Sequence, residues 1–451
     1  MSLLLLLSIA CGGLNRGKVD EQPKEPAPAP APAEREARAA SPGQVDLTAF
    51  LGINEAVTVP PPFLTRPGFG DKELQDLLNE DAGLTVDLGA GWVRGHSATF
   101  PFLSHQAWSK DPAQHQEWAD MWVKTLQAQG LEPLIMLSPW PGNKTQQVTQ
   151  NYLPKDAKAY QAWVERVVER YDGDGVDDMP GLKKGIHHWE VDNEPDLKAD
   201  PMGPGKSKAA QAKFCQASEY AKVLIMTSES IRKADDKAVV LGGGFYRPHT
   251  DSGREYMKQV FSTQEARDAI DVLSLHVYFT EQGTGRFERA ISWGREAVPG
   301  AAIWITETNQ PAQDDNKSWV NKQWQAAMLT RMVGVALREG VSGFYWHTLA
   351  DAPTGARKGP GGMKVHSFYE QPEPGTLKAK PAVTSYKLLS ARFAELGSVE
   401  IIEEKGGIRF GAGGPRLIWE GSAEGKATNL VTGKVTTGRV TADPENSYWV
   451  E

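Results

Sequence analysis

From residue 50 to residue 396 the chain alternates short apolar, β-branched runs with longer amphipathic stretches, and this alternation constrains the fold more than any other feature. Strands are expected at 50–54, 91–95, 131–137, 188–191, 238–242, 271–279, 302–306 and 342–347. Helices are expected at 71–79, 114–129, 157–171, 209–234, 287–298, 320–339 and 381–396. Strands separated by helices of this length describe βαβ units and a parallel sheet. Eight strands with a helix after the last describe a closed (β/α)8 barrel, an α/β fold, rather than an open sheet. Past residue 396 the pattern changes to short strand-like pieces at 399–403, 407–410, 416–419, 428–431 and 434–440, separated by Gly-rich turns. These describe a small antiparallel β appendage, open to completion by strands from elsewhere, and its expected role is to stabilise the barrel.

A barrel of this kind carries its chemistry at the C-terminal ends of its strands. Two strands there end in the same way. Trp189-Glu190-Val191-Asp192-Asn193-Glu194-Pro195 runs from an apolar strand into a glutamate and then a proline, which has no N–H to continue a ladder. Ala302-Ile303-Trp304-Ile305-Thr306-Glu307 does the same before Thr308-Asn309-Gln310-Pro311. They are the fourth and seventh strands, on opposed parts of an eight-strand ring, so their glutamates can face each other across the mouth. Two facing carboxyls are what glycosidic bond cleavage needs: one protonated to release the leaving oxygen, the other ionised to attack or stabilise the sugar cation. Other polar and aromatic groups gather at the same end: Arg94 and His96, Ser138 and Trp140, His276 and Tyr278 on one strand face, and Trp346 and His347.

A net charge of −8 without a basic run excludes nucleic acid and anionic membrane surfaces as expected partners. Hydrophobic content of 40% with 24% charged residues describes a soluble globular protein, expected as a monomer. The N-terminus is a short apolar run ending Leu7-Ser8-Ile9-Ala10-Cys11, too short to span a membrane and shaped like an export signal. It resembles the bacterial lipoprotein cleavage box, in which the cysteine becomes the lipidated N-terminus, although no Lys or Arg precedes the run and Ser8 stands where leucine is usual. A Pro/Ala-rich stretch follows, unable to bury a core and suited to an extended spacer. The expected organisation is a signal segment at 1–11, a disordered linker at 12–44, a catalytic barrel at 45–396 and a β-rich region at 397–451. The implied location is an exported lipoprotein, periplasmic or at the cell surface, touching membrane only through Cys11.

With these motifs in place, the chain resembles the clan of retaining (β/α)8 glycoside hydrolases with the acid/base on strand four and the nucleophile on strand seven, in its family 39-like or family 5-like members. The resemblance covers roughly residues 45–396 and leaves the sugar open. It implies Glu194 as general acid/base, Glu307 as nucleophile and Asn193 as the holder of the substrate 2-hydroxyl. Arg94 and Tyr278 would keep Glu307 ionised and aimed. His276 and Trp346 would line the sugar site, Trp346 as a stacking floor. Arg94 also fits a structural ion pair and His276 a core histidine, while His96, Trp140 and His347 are balanced between site and packing.

No cofactor is expected for such chemistry. Asp172, Asp174, Asp177 and Asp178, with two turn glycines just before strand four, resemble the opening of a calcium loop. They lack its bidentate glutamate, and a solvated acidic turn is the better reading; an ion there would be structural. The expected function is a retaining glycoside hydrolase acting on an oligo- or polysaccharide. The alternatives are a non-catalytic carbohydrate-binding surface lipoprotein and a transglycosylase using the same residues.

Overall fold

The computed structural model describes residues 44–56, 71–95, 104–139, 152–196, 215–278, 283–310, 312, 321–350, 367–370 and 376–451. The signal segment with Cys11, the linker up to residue 43, His96 and Trp140 lie outside the described residues. Among the described residues no helix is long and apolar enough to cross a membrane.

The chain enters through β1 (Gln44–Asp46) and then lays down β2 (Leu51–Asn54), β3 (Trp92–Gly95), β4 (Glu132–Leu137), β5 (His188–Val191), β6 (Val239–Phe245), β7 (Val272–Tyr278), β8 (Ala302–Asn309) and β9 (Gly343–His347). Strands β2 to β9 pair in chain order, all parallel, and β9 returns to β2 with Leu51 opposite Phe344 and Asn54 opposite His347. The expected (β/α)8 barrel is therefore closed. Side chains alternate across each strand. Trp92, Leu134, Leu241, Val272, Trp304 and Tyr345 pack together as one cluster inside the barrel. Their neighbours one residue away, such as Val93, Ile135 and Phe344, join the larger core beneath the helices.

The helices form where apolar residues recur at helical spacing, and several begin behind a capping side chain. In Ala157–Glu169 the buried residues Tyr160, Trp163, Val164, Val167 and Val168 make one stripe, and Asp156 accepts the Ala159 N–H at the N-terminus. Each of those side chains contributes roughly 1.5–3 kcal/mol on leaving water. A charge at Val164 would put the stripe back into solvent. The helix expected to begin at 209 is described from Ala217 to Ala234.

Beyond the barrel, β10 (Tyr369–Glu370) and β11 (Lys378–Ala379) form a small ladder, and helix Pro381–Leu396 follows. The appendage then adds β12 (Ser398–Glu404), β13 (Gly407–Phe410), β14 (Arg416–Ile418), β15 (Gly421–Asn429), β16 (Val435–Ala442) and β17 (Tyr448–Val450). They form one sheet in the order β1-β12-β13-β14-β17-β15-β16, its neighbours all antiparallel. The strand expected at 428–431 instead starts at Gly421, and β17 was not anticipated. The polar, small-residue run of β15 hides its alternation, because its inward side chains include Ala423 and Ala427 rather than large apolar groups. Completion from elsewhere is real: β1, from the other end of the barrel sequence, supplies the edge next to β12.

Candidate active site

Two local distortions put the paired glutamates at the mouth. At the end of β5 the backbone turns left-handed at Asp192 (φ 66°) and again at Glu194 (φ 51°). A side chain there costs about 1–2 kcal/mol each time and persists because the surroundings hold it. Asp192 N–H donates to the Leu137 carbonyl and its carboxylate accepts from Ser138 Oγ at 3.0 Å, while Glu194 N–H donates to the Gly244 carbonyl at 3.1 Å. On β8 the register shifts against both neighbours, between Leu275 and His276 on one side and between Ile305 and Thr308 on the other. The bulge lets two successive residues reach inward. Thr306 Oγ1 donates to Glu190 at 3.2 Å, and Glu307 accepts from Asn54 at 2.9 Å.

Arg94 is the hub. It is fully buried and donates through Nε to Glu190, through Nη1 to Asn54 Oδ1 at 3.0 Å and through Nη2 to Asn193 Oδ1 at 2.8 Å; Nη1 also stands 3.5 Å from Glu307 Oε2. Burial by itself draws the guanidinium pKa down, but Glu190, Glu307 and Glu194 together hold it above its ordinary value. Arg94 makes a structural ion pair with Glu190 and also sits beside Glu307. Because a guanidinium only donates, it fixes the Asn193 amide with its oxygen toward Arg94 and its NH2 on the other side.

His276 is fully buried inside the ring, with Nδ1 3.0 Å from Glu194 Oε1 and 3.6 Å from Glu307 Oε2. A carboxylate oxygen of Glu194, one of Glu307 and a ring nitrogen of His276 all lie within 4.8 Å of one another. Such a trio could ligate a cation, but the Arg94 guanidinium at 3.5 Å already occupies the electrostatic position a cation would take. The donor set fits a pair of carboxyls balanced by Arg94 better than a metal.

Tyr278, part-exposed at the rim, stands edge-on to His347 with ring centroids 6.2 Å apart. Trp346 is corrected. Strand alternation turns it outward, 0% exposed, against Phe368 at 5.8 Å and within the core beneath the helices, so it offers no floor to a sugar. The residue that faces the mouth there is His347, whose Nδ1 lies 3.0 Å from Asn54 Nδ2.

Asn54, Glu190 and Thr306 were not singled out in the sequence. The signal for Asn54 was available, since it ends the first barrel strand at the same end as the others. Glu190 carried one too, as a charge inside an apolar strand must find a partner.

The acidic loop precedes β5 and so lies at the opposite end of that strand from Glu194. Oxygens of Asp172, Asp174 and Asp178 come within 4.8 Å of one another. They accept the loop's own N–H groups: Asp172 from Asp174, Asp174 from Val176, and Asp178 from Gly173 and Gly175. Partial burial raises the Asp172 pKa, with the neighbouring acids adding to it. Asp177 takes a left-handed turn position at φ 45°. The hydrogen bonds are those of a turn built on its own carboxylates.

The (β/α)8 barrel is a scaffold shared with glycoside hydrolases of families 39 and 51. No protein-family model matches the chain and no curated protein matches it. Among solved structures, it is similar to a family 51 α-L-arabinofuranosidase from Bifidobacterium longum, at 13% identity and a TM-score of 0.56, covering 91% of this chain and 97% of that one. A family 39 β-xylosidase from Caulobacter crescentus aligns at 15% identity and a TM-score of 0.53, again over 91% and 97%. A glucosidase from Croceicoccus marinus aligns at 13% and 0.54, over 88% and 81%. At these identities the likeness is one of fold.

Proposed function

We propose that the protein is a retaining glycoside hydrolase, with Glu307 as nucleophile and Glu194 as general acid/base. The observation that carries this reading is the approach of the two carboxylates, with oxygens within 4.8 Å. Carboxyl groups about 5–5.5 Å apart suit double displacement, whereas inversion needs about 6.5–9.5 Å to seat a water between them. The roles divide by surroundings. Glu307 accepts an N–H from Asn54 at 2.9 Å and stands 3.5 Å from Arg94 Nη1, so two fixed donors aim its Oε2. Glu194 has His276 beside it at 3.0 Å and sits on the left-handed turn that follows β5.

In the first step a Glu307 oxygen bonds to the anomeric carbon as the glycosidic C–O bond breaks, and the Glu194 proton passes to the departing oxygen. In the second, Glu194 takes a proton from water, whose oxygen displaces Glu307 from the same carbon. The Asn193 NH2, fixed by Arg94, is placed to hold a sugar hydroxyl through both steps. The neighbours in fold act on xylosides, arabinofuranosides and glucosides, which makes glycosides of pentoses and glucose the first substrates to try.

Two variants and azide test the assignment. Glu194→Ala should lose about 10²–10⁴-fold in turnover yet still form the glycosyl ester from an activated aryl glycoside. Azide, which needs no base, should restore its turnover and release a glycosyl azide of retained configuration. With Glu307→Ala, azide should give the inverted product. Opposite stereochemistry in the two variants, or inversion by the wild type, would reject the assignment. Sugar binding without turnover of any aryl glycoside by the wild type would favour a carbohydrate-binding protein instead.

A further inference from the structure

One amide at the mouth is hydrogen-bonded on three sides, and its geometry fixes the state of a neighbouring ring. Asn54 is fully buried. Its Oδ1 accepts from Arg94 Nη1 at 3.0 Å, and because arginine can only donate, the orientation of the amide is set. Nδ2 therefore points the other way, with two hydrogens and two acceptors: Glu307 Oε2 at 2.9 Å and His347 Nδ1 at 3.0 Å. A ring nitrogen that accepts carries no proton. His347 is thereby held as the neutral tautomer with its hydrogen on Nε2. Glu55 Oε2 is 3.9 Å from Nδ1, too far for a hydrogen bond.

The Nε2–H has no acceptor among the described residues, while the side chain keeps 12% of its surface open. The ring is steadied edge-on by Tyr278 and stands beside the nucleophile through the shared amide. We propose that His347 is a specificity-determining residue that donates its Nε2–H to one hydroxyl of the sugar bound against Glu307. Resting on the reading of the site as a glycosidase, this adds that the wall at the end of β9 recognises an oxygen acceptor rather than offering an indole face. Arg94, Asn54 and His347 form a relay of fixed donors, so the ring's orientation and that of Glu307 are set by one group.

The test uses the full chain and whichever of 4-nitrophenyl β-D-xyloside, β-D-glucoside or α-L-arabinofuranoside the wild type cleaves fastest, with its monodeoxy analogues. For one deleted hydroxyl the wild type should lose at least roughly tenfold in kcat/KM, and His347→Phe should lose nothing further from that deletion while responding normally to the others. His347→Gln, which sets an N–H near the position of Nε2, should recover part of that discrimination. The quantity read is the ratio of each analogue to its parent, so a general slowing through Asn54 and Glu307 leaves it unchanged. If His347→Phe does not fold, the ratios in His347→Ala decide. Full wild-type sensitivity to every deletion in the variant overturns the role of His347 and leaves the glycosidase reading standing. Failure of the wild type to cleave these three or any other aryl glycoside overturns both.

Discussion

Glu190 lies in a buried strand between Trp189 and Val191, and the Arg94 and Thr306 side chains take up its two oxygens. An unpaired charge there would be prohibitive, so the pair is a condition of the fold as well as part of the site. Glu190→Gln keeps the shape and removes one negative charge from the surroundings of Arg94. Stability should fall by about 3 kcal/mol in denaturant unfolding. Arg94 then exerts a stronger positive potential on its other neighbours, so the acidic limb of the kcat/KM profile should move to lower pH; a limb that stays put would mean that Arg94 and the reacting carboxyls are not coupled. The strand-tip glutamates were legible because an acid before a breaker at the end of an apolar run is a local signal. Trp346 was misread for a reason of parity. It and His347 both stand at a strand end, and only the pairing of Asn54 with His347 shows which of the two faces inward.

At the scale of elements, the strands rich in β-branched and aromatic residues were found to within a residue or two, and β6 and β8 ran longer than expected. Their extensions carry the bulges, which depend on tertiary pairing and leave little trace in composition. In β6, Gly244 adopts φ 53°, and a Cβ on it would sit 2.9 Å from His276 Nε2 and 3.3 Å from Arg94 Nη2. Gly244→Ala should therefore cost about 1–3 kcal/mol of stability and depress kcat by about tenfold or more, since both displaced groups touch the glutamates. A variant with wild-type kcat would show that His276 can yield without consequence. The other end of the barrel gives a pH prediction. His188 stacks on Trp304 and meets Trp92 edge-on, and burial, with His187 and Lys184 adding to it, pushes its imidazole pKa down to about 4. The unfolded ring titrates near 6.5. Between those values the unfolded chain binds more protons, so this group's contribution makes stability fall as pH drops from about 6.5 to about 4, by at most about 3 kcal/mol. His188→Phe should flatten that part of the stability profile by about one proton.

For the whole molecule, the question is what the C-terminal sheet does for the barrel. Helix Lys322–Arg338 is buried from Trp324 to Leu337 except at Arg331, as a helix must be when both of its faces are covered. The sheet covers one of them. The Trp419 ring lies over Gly334, where an added Cβ would come within 2.3 Å of it, and Arg331 Nη2 donates to the Trp419 carbonyl at 2.9 Å. Phe393 on the last helix meets Phe410, which stacks on Trp449. No sequence pattern announced this contact, because a glycine in a helix and a tryptophan far along the chain become partners only once the barrel has formed. Trp419→Ala should cost about 3–5 kcal/mol by emptying the space over the helix, with kcat and KM within about twofold of the wild type. A changed KM would instead assign the sheet a part in ligand contact. Gly334→Ala should destabilise the wild-type protein, since the methyl group has nowhere to go. In the Trp419→Ala background the same change should turn stabilising, by up to about 1 kcal/mol, because the clash has gone and alanine is the better helix former. Denaturant unfolding of the four proteins reads this reversal directly, and simple additivity of the two substitutions would mean that the glycine is not there to seat the ring.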